Sequence, residues 1–297
     1  MNELTRFAFG LLVWPGLLGA AALGLAYLWL GRKILARLQG RKGPPFGQPF
    51  FDLVKLLGKR TVVPGDANRG FFFALPLCAV AATTFGLLVI PVPGNPVRSF
   101  PGDVVLLLFL LEVPVFCDVL AGYVTKSIYG QVSAMREGVL MISYNVPFLA
   151  AICALAQHAG SFSLAGIAAA PQGIVTLLAA IAFLIAIPAR VKSNPFSIPN
   201  AEQEIVAGAH IEYNGAPLAL FELSHALELV ALTNLFMVLF TPHAGAGVFF
   251  AGSVVMVCAV TAVAALSARL TVARAVRFYW VWGGIAAAAS MTAALVG

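Results

Sequence analysis

The sequence predicts an all-α integral membrane protein with about eight transmembrane helices, one amphipathic helix lying in the interface, and both termini on the outer side. Three observations predict it. Of 297 residues, 61% are apolar and only 10% are charged, with a mean hydropathy of +0.94. A soluble domain carries about 25% charged residues, so this chain lacks the polar surface needed to cover itself in water. Its apolar residues form uncharged runs of the length a bilayer requires, about 20 residues, and its Lys and Arg are confined to alternate connections. Disorder, a nucleic-acid-binding module and an ordinary soluble enzyme are excluded, and residues 1–297 read as one polytopic domain.

The spans follow in order. Gly10 to Gly31 is 22 residues without an acid or a base. It is too long for a cleaved leader and is followed by Arg32-Lys33 as a stop-transfer signal. Gly70 to Val97 is the second run, and Asp103 to Thr125 is a third helix with acids at its start and inside it. Gly138 to Ala189 is 52 residues long, enough for two spans joined at the softer stretch His158 to Ala170. Leu229 to Ala268, 40 residues, divides at 241–245, and Phe278 to Gly297 supplies the eighth span. Traced alternately, sixteen of the eighteen Lys and Arg fall on one side, leaving Arg6 and Arg98 opposite. That skew places four basic loops in the cytoplasm, and the net charge of +6 reads as topology.

The first cytoplasmic loop, 32–69, contains a helical pattern at 45–60. Phe46, Phe50, Leu53 and Leu57 fall on one face, and Gln48, Asp52, Lys55 and Lys59 on the other. This describes a helix in the membrane interface, as a lipid anchor or as a partner dock. Cys78, Cys117, Cys153 and Cys258 are scattered among spans without C-x-x-C spacing and read as buried small hydrophobes. Redox centres, if any serve this protein, belong to other chains.

Ionisable residues inside spans carry more information. Glu112 and Asp118 flank Pro114 in the third helix, and Glu222, His225 and Glu228 lie at i, i+3 and i+6 in the sixth, within about 120° of one face. Four acids facing lipid would cost roughly 10–14 kcal/mol, so they face the bundle interior or a hydrated cavity. Pro114 also frees a carbonyl in the turn before it, which invites water or a side chain. The five groups form either interhelical hydrogen bonds that hold the bundle together or a proton relay, with the relay favoured by their number. The loop 190–217 holds Glu202, Glu204 and Glu212 against two bases. It is long enough to mark function, with a solvated acidic loop as the plain alternative.

Three stretches resemble the family of the membrane protein called the H subunit, or subunit 1, of respiratory complex I and its counterpart in membrane-bound [NiFe] hydrogenases such as formate hydrogenlyase. RKILARLQGRKGPPFGQPFFDLVKLLGKR (32–60) is similar to the family's first cytoplasmic loop, GYVTKSIYGQVSAMREGVLMISYNVPF (122–148) to the entry of its fourth span, and KSNPFSIPNAEQEIVAGAHIEYNGAPLALFEL (192–223) to its acidic loop. Glu202, Glu204 and Glu212 match the family's acids. Asn145, Ser197 and Asn200 stand where complex I members carry acids associated with quinone-linked coupling. The resemblance implies an anchoring and coupling subunit in a bacterial or archaeal cytoplasmic membrane that binds no cofactor itself. The three neutral residues favour the hydrogenase branch over a quinone site.

On that reading the partners are hydrogenase large and small subunits on the cytoplasmic face, carrying the [NiFe] centre and iron–sulfur clusters, together with antiporter-like membrane subunits and the lipid bilayer; nucleic acid is not a partner. The resemblance implies a docking role for Arg41, Lys55, Arg136, Glu202, Glu204, Glu212 and Tyr213. It implies a relay from Glu212 through Glu222, His225 and Glu228 to Glu112 and Asp118. A stand-alone transporter would show paired broken helices in internal repeats, and no polar segment recurs here. A purely structural anchor would lose assembly, and not coupling, when its membrane acids are removed.

Overall fold

The computed structural model describes residues 3–95 and 99–296, with all their side chains except those of residues 3, 4 and 202. Arg98 and the side chain of Glu202 therefore lie outside the described residues. The described elements are α1 (Glu3–Leu12), α2 (Leu17–Leu38), α3 (Gln48–Gly58), α4 (Arg69–Val89), α5 (Asp103–Val124), α6 (Ile128–Ala159), α7 (Leu164–Ala169) and α8 (Ile174–Arg190), then α9 (Glu202–Ile205), a 3₁₀ turn, α10 (Gly215–Phe240), α11 (Ala246–Leu266), α12 (Val272–Phe278), a π turn (Tyr279–Gly283) and α13 (Gly284–Val296). Seven are long and apolar enough to cross a membrane, counting α1–α2 and α12–α13 as one each, and α8 is a shorter apolar helix of 17 residues. Together they make the eight crossings the sequence predicts, with α8 at the short end of what spans.

Several boundaries differ from the sequence reading. The first run is broken at 13–16, where the chain leaves helical geometry at Trp14-Pro15-Gly16 before α2 begins. The second span ends at Val89, short of Val97. The fourth span starts ten residues before Gly138, since α6 runs unbroken from Ile128 and carries Glu137 within it. Charge sets the expected boundary, but a helix can bury a charged residue that finds partners.

The helices pack as a bundle around α10, which touches α2, α4 and α11, while α5 and α8 flank α6 and α13 closes against α6 and α8. Small residues set two of these crossings. A Cβ at Gly24 would sit 2.5 Å from the Ala226 carbonyl oxygen, and one at Gly122 2.4 Å from that of Gly130. Without a hydrophobic force between helices in lipid, such close approach supplies dispersion contact. The core away from the Lys/Arg-rich end is apolar, with Phe183 against Phe148 at 5.1 Å and Phe236 at 5.8 Å between ring centres.

The interfacial helix is shorter than 45–60 and its apolar stripe divides. Leu53 and Leu56 turn with Pro49 toward α2, whereas Phe46, Phe50, Phe51, Val54 and Leu57 are exposed. Gln48 and Asp52, placed on the polar face, are engaged: Gln48 donates to Asp52 at 2.8 Å, and Asp52 pairs with Arg32 on α2 at 3.2 Å. The loop 190–217 is not a solvated loop. Phe196, Ile198, Ala201, Ile205 and Tyr213 are buried, and its backbone is tied down where Ser133 donates to the Pro199 carbonyl at 2.7 Å and Leu270 N–H to the Pro195 carbonyl at 2.9 Å.

Candidate functional site: a buried ionic cluster and the groove beside it

Pro114 has no N–H for the Leu110 carbonyl four residues back. A side chain reaches the neighbouring carbonyl. Arg190, at the end of α8 and fully buried, donates from Nη2 to the Leu111 carbonyl at 2.7 Å. Its Nη1 donates to Glu112 Oε1 at 2.6 Å and to Asn145 Oδ1 at 3.2 Å, and Asn145 Nδ2 returns a bond to Glu112 Oε2 at 2.9 Å. The guanidinium lies 4.5 Å from the Phe148 ring centre, where the ring face adds to its stabilisation. On its remaining side Nε stands 3.6 Å from Glu228 Oε1, too far to bond, and neither atom has a hydrogen-bond partner.

A second group adjoins the first. Lys192 bonds Asp118 and lies 4.0 Å from Glu137 on α6. Asp118 also receives His225 Nε2 at 2.8 Å and His210 Nε2 at 3.1 Å. One buried carboxylate thus collects donors from α10, the 190–217 loop and the 3₁₀ turn. Burial opposes charge on Lys192, but Asp118 and then Glu137 hold its ammonium above the usual lysine range. Burial pushes His210 below the usual histidine range, against the pull of its bond to Asp118. Burial, with the Asp118 charge, raises the Tyr213 phenol.

Beside the cluster lies a groove of three adjoining spaces, the outermost of them apolar. Ala22, Leu25, Ala26 and Trp29 of α2 face Phe46, Pro49, Phe50 and Phe51 across about 360 Å³. Leu25 and Pro49 continue into a space of about 190 Å³ with Leu28, Arg32, Asp52 and Glu222. Leu28, Arg32 and Glu222 lead on to about 210 Å³ lined by Arg190, Lys192, Asn200, His225 and Glu228. Neighbouring spaces thus share lining residues in series, from exposed aromatic side chains to buried ions.

The structure brings together Glu112, Asp118, His225 and Glu228, and sets Glu222, which is exposed, at the groove's edge. Glu222, His225 and Glu228 line one space together, with His225 bonded to Asp118 and Glu228 3.6 Å from Arg190. Glu212 is exposed. Tyr213 is buried and stacks on Phe72 at 4.3 Å. Arg136 pairs with Glu204 at 2.6 Å, Arg41 bonds Gln39, and Lys55 is exposed on α3.

A family model described as NADH dehydrogenase matches residues 12–295. The chain is 36% identical over 232 residues to the first of the NADH-quinone oxidoreductase H subunits of Geobacter metallireducens, covering 71% of this chain and 70% of the relative. It is 35% identical over 263 residues to the NADH-quinone oxidoreductase H subunit of Syntrophotalea carbinolica, covering 81% and 79%. A chain in the structure of the membrane-bound sulfane sulfur reductase, an archaeal respiratory membrane complex, superposes with a TM-score of 0.88 at 30% identity, covering 98% of this chain and 99% of that one.

The chain belongs to the NADH dehydrogenase family. It is a multi-pass membrane protein of the H-subunit type, a component of a complex-I-like respiratory complex. The names these relatives carry back the quinone-linked alternative better than the hydrogenase branch that the sequence reading preferred. Of the three neutral positions behind that preference, Asn145 and Asn200 lie at the cluster. Asn145 bridges Glu112 and Arg190, Asn200 lines the inner groove, and Ser197 bonds Asn194 and accepts from Arg269 at 3.2 Å.

Four members of the cluster escape sequence reasoning. Arg190 and Lys192 read as topological charges, Glu137 as part of a loop, and His210 does not stand out. A signal exists for Glu137, because no proline interrupts 128–146 and a helix can run through it.

Proposed function

We propose that this chain serves a quinone-reducing complex of the NADH:quinone oxidoreductase type, seating the quinone in the groove and linking its reduction to proton movement through the cluster. The observation that carries the reading is the series of three adjoining spaces that share lining residues. An isoprenoid tail fits the aromatic mouth between α2 and α3, and a polar head group fits the inner end beside His225, Lys192 and Arg190. Such sites are mostly apolar with a few convergent polar groups. Reduction of a quinone takes up protons, and in low dielectric a charge change at the inner groove acts strongly on carboxylates a few ångströms away. His225 and Lys192 both touch Asp118, and Arg190 touches Glu112, so the groove-lining donors are the ones that hold the membrane acids. The segments 32–60 and 192–217, with Arg41, Lys55, Arg136, Glu202, Glu204, Glu212 and Tyr213, form the dock for the soluble redox arm, which carries the redox centres. Antiporter-like subunits complete the membrane arm.

Filling the groove tests this. Leu28→Trp in the assembled complex is expected to raise the KM for a short-chain quinone by about tenfold, ~1.4 kcal/mol of lost binding, while electron transfer to a water-soluble acceptor stays unchanged. The hydrogenase reading remains the second one because Asn145, Ser197 and Asn200 are neutral. A co-purifying large subunit that contains nickel, with no response to quinone-site ligands, would replace the quinone reading by it.

A further inference from the structure

The turn that leads out of α9 holds an apolar side chain in the open on a strained backbone. Val206 is 56% exposed, with φ at +57° and ψ at −114°. A β-branched residue at positive φ is an outlier, whereas glycine takes such a conformation freely. The flanks explain the path of the chain. On one side Ile205 and Ala201 are buried, and the Ile205 N–H donates to the Ala201 carbonyl at 2.9 Å. On the other, a Cβ at Gly208 would sit 2.5 Å from the Pro199 carbonyl oxygen and 2.7 Å from Ser133 Oγ. Two residues bridge these anchored points, and both Val206 and Ala207 are exposed. The ends impose the bulge, but they do not require valine in it. Glycine would follow the same path without strain and without an apolar side chain in the open. The surroundings point away from lipid as the cover: Gln203 and Glu204 are exposed beside Val206, Glu204 pairs with Arg136, and Glu212 is exposed further along the same loop.

We propose that Val206 is the apolar anchor on which the soluble redox arm docks, entering an apolar pocket of the arm whose rim carries basic side chains opposite Glu204. The turn holds the side chain out before the partner arrives, so little ordering cost falls on association. Strain of this kind persists where the surroundings over-determine the backbone, and it concentrates where a contact uses it. The exposed acid on α9 steers and orients a basic surface, and a side chain buried within a ring of polar contacts is the arrangement that carries most of an interface's energy. The proposal rests on the docking role assigned above to the 192–217 segment and names the residue that anchors it.

The test uses the intact complex in vesicles. Val206→Gly relieves the backbone and removes the anchor, so the arm should dissociate at least about fivefold faster in a chaotropic salt, while the melting temperature of the chain does not fall. Val206→Ile should keep the slow release. Unchanged release in Val206→Gly, or a lower melting temperature, makes the valine a packing residue and overturns the proposal. A second measurement needs no loss of assembly. Val206→Cys should resist a membrane-impermeant maleimide in the intact complex, as followed by peptide mass spectrometry, and should become reactive as the chaotrope releases the arm. Protection that outlasts the arm means that lipid or a second copy covers the turn, and overturns the proposal. If Val206→Cys is reactive throughout while Glu212→Cys is protected, the docking role stands and the anchor alone is wrong. If both are reactive in the intact complex, the docking role itself fails.

Discussion

Asp103 and Asp118 lie on the same helix, α5, and both are buried, yet they are held in opposite ways. Asp103, at the end away from the basic loops, accepts from the Leu164 N–H at 2.7 Å, from the Phe100 N–H at 3.2 Å and from the Ser99 hydroxyl, which is itself 2.8 Å from Ser163 Oγ. Those donors are neutral and do not titrate. Asp118 takes its bonds from Lys192, His210 and His225, which carry or exchange protons. Around Asp103 the α4–α5 connection is pinned to the start of α7. Around Asp118 and its neighbours, by contrast, acids outnumber fixed cations and several buried atoms stay unbonded. A buried carboxylate is therefore a structural pin where backbone amides saturate it, and a group that can change state where titratable side chains hold it.

The largest test of this contrast is removal of the cation. Arg190→Met strands Glu112 and Glu228, and breaking a buried pair from one side costs about 3–5 kcal/mol. Thermal unfolding of the purified complex should show that loss, and adding Glu112→Gln should restore a large part of it. Next come the two aspartates themselves. Asp103→Asn is expected to cost about 1–3 kcal/mol in stability while protons moved per electron remain unchanged. Asp118→Asn should lower protons per electron by about tenfold. If the two variants gave the same phenotype, the distinction would collapse.

A smaller effect concerns pH. Burial lowers His210 below its usual range, so the unfolded chain binds that proton first. Stability should then fall as pH drops through about 6.5 toward the lower folded value, with a slope of at most ~1.4 kcal/mol per pH unit. His210→Gln is expected to flatten that part of the curve of melting temperature against pH. Smallest of all is the exposed pair between Arg136 and Glu204. Arg136→Ala should change stability by about 0–1 kcal/mol, and a larger loss of assembled complex would show that the pair contacts the soluble arm.

Much of the molecule is legible in the sequence. Run lengths give the eight crossings, and Glu112, Asp118, His225 and Glu228 point inward as their insertion cost requires. Pro114 leaves the Leu110 carbonyl without its helical donor, while the carbonyl that Arg190 bonds is that of Leu111 beside it. The stripe on α3 is only half right, since Leu53 turns toward α2 while Phe51 and Val54 join the exposed face. The loop 190–217 misleads because its charges suggest solvent, whereas its apolar residues fold it back onto the bundle.

The sequence by itself determined that this chain crosses a membrane about eight times and carries acids that have to be shielded from lipid. Those are local properties, set by runs of about 20 residues and by single charges whose burial is expensive wherever they sit. Only the tertiary structure decided which charges meet. Arg190 reaches Glu112 across 78 positions of chain, and His225 reaches Asp118 across 107. No periodicity records such a meeting. The packing of α5, α6, α8 and α10 makes it, and in doing so turns two residues that read as topology signals into the counter-ions of the membrane interior.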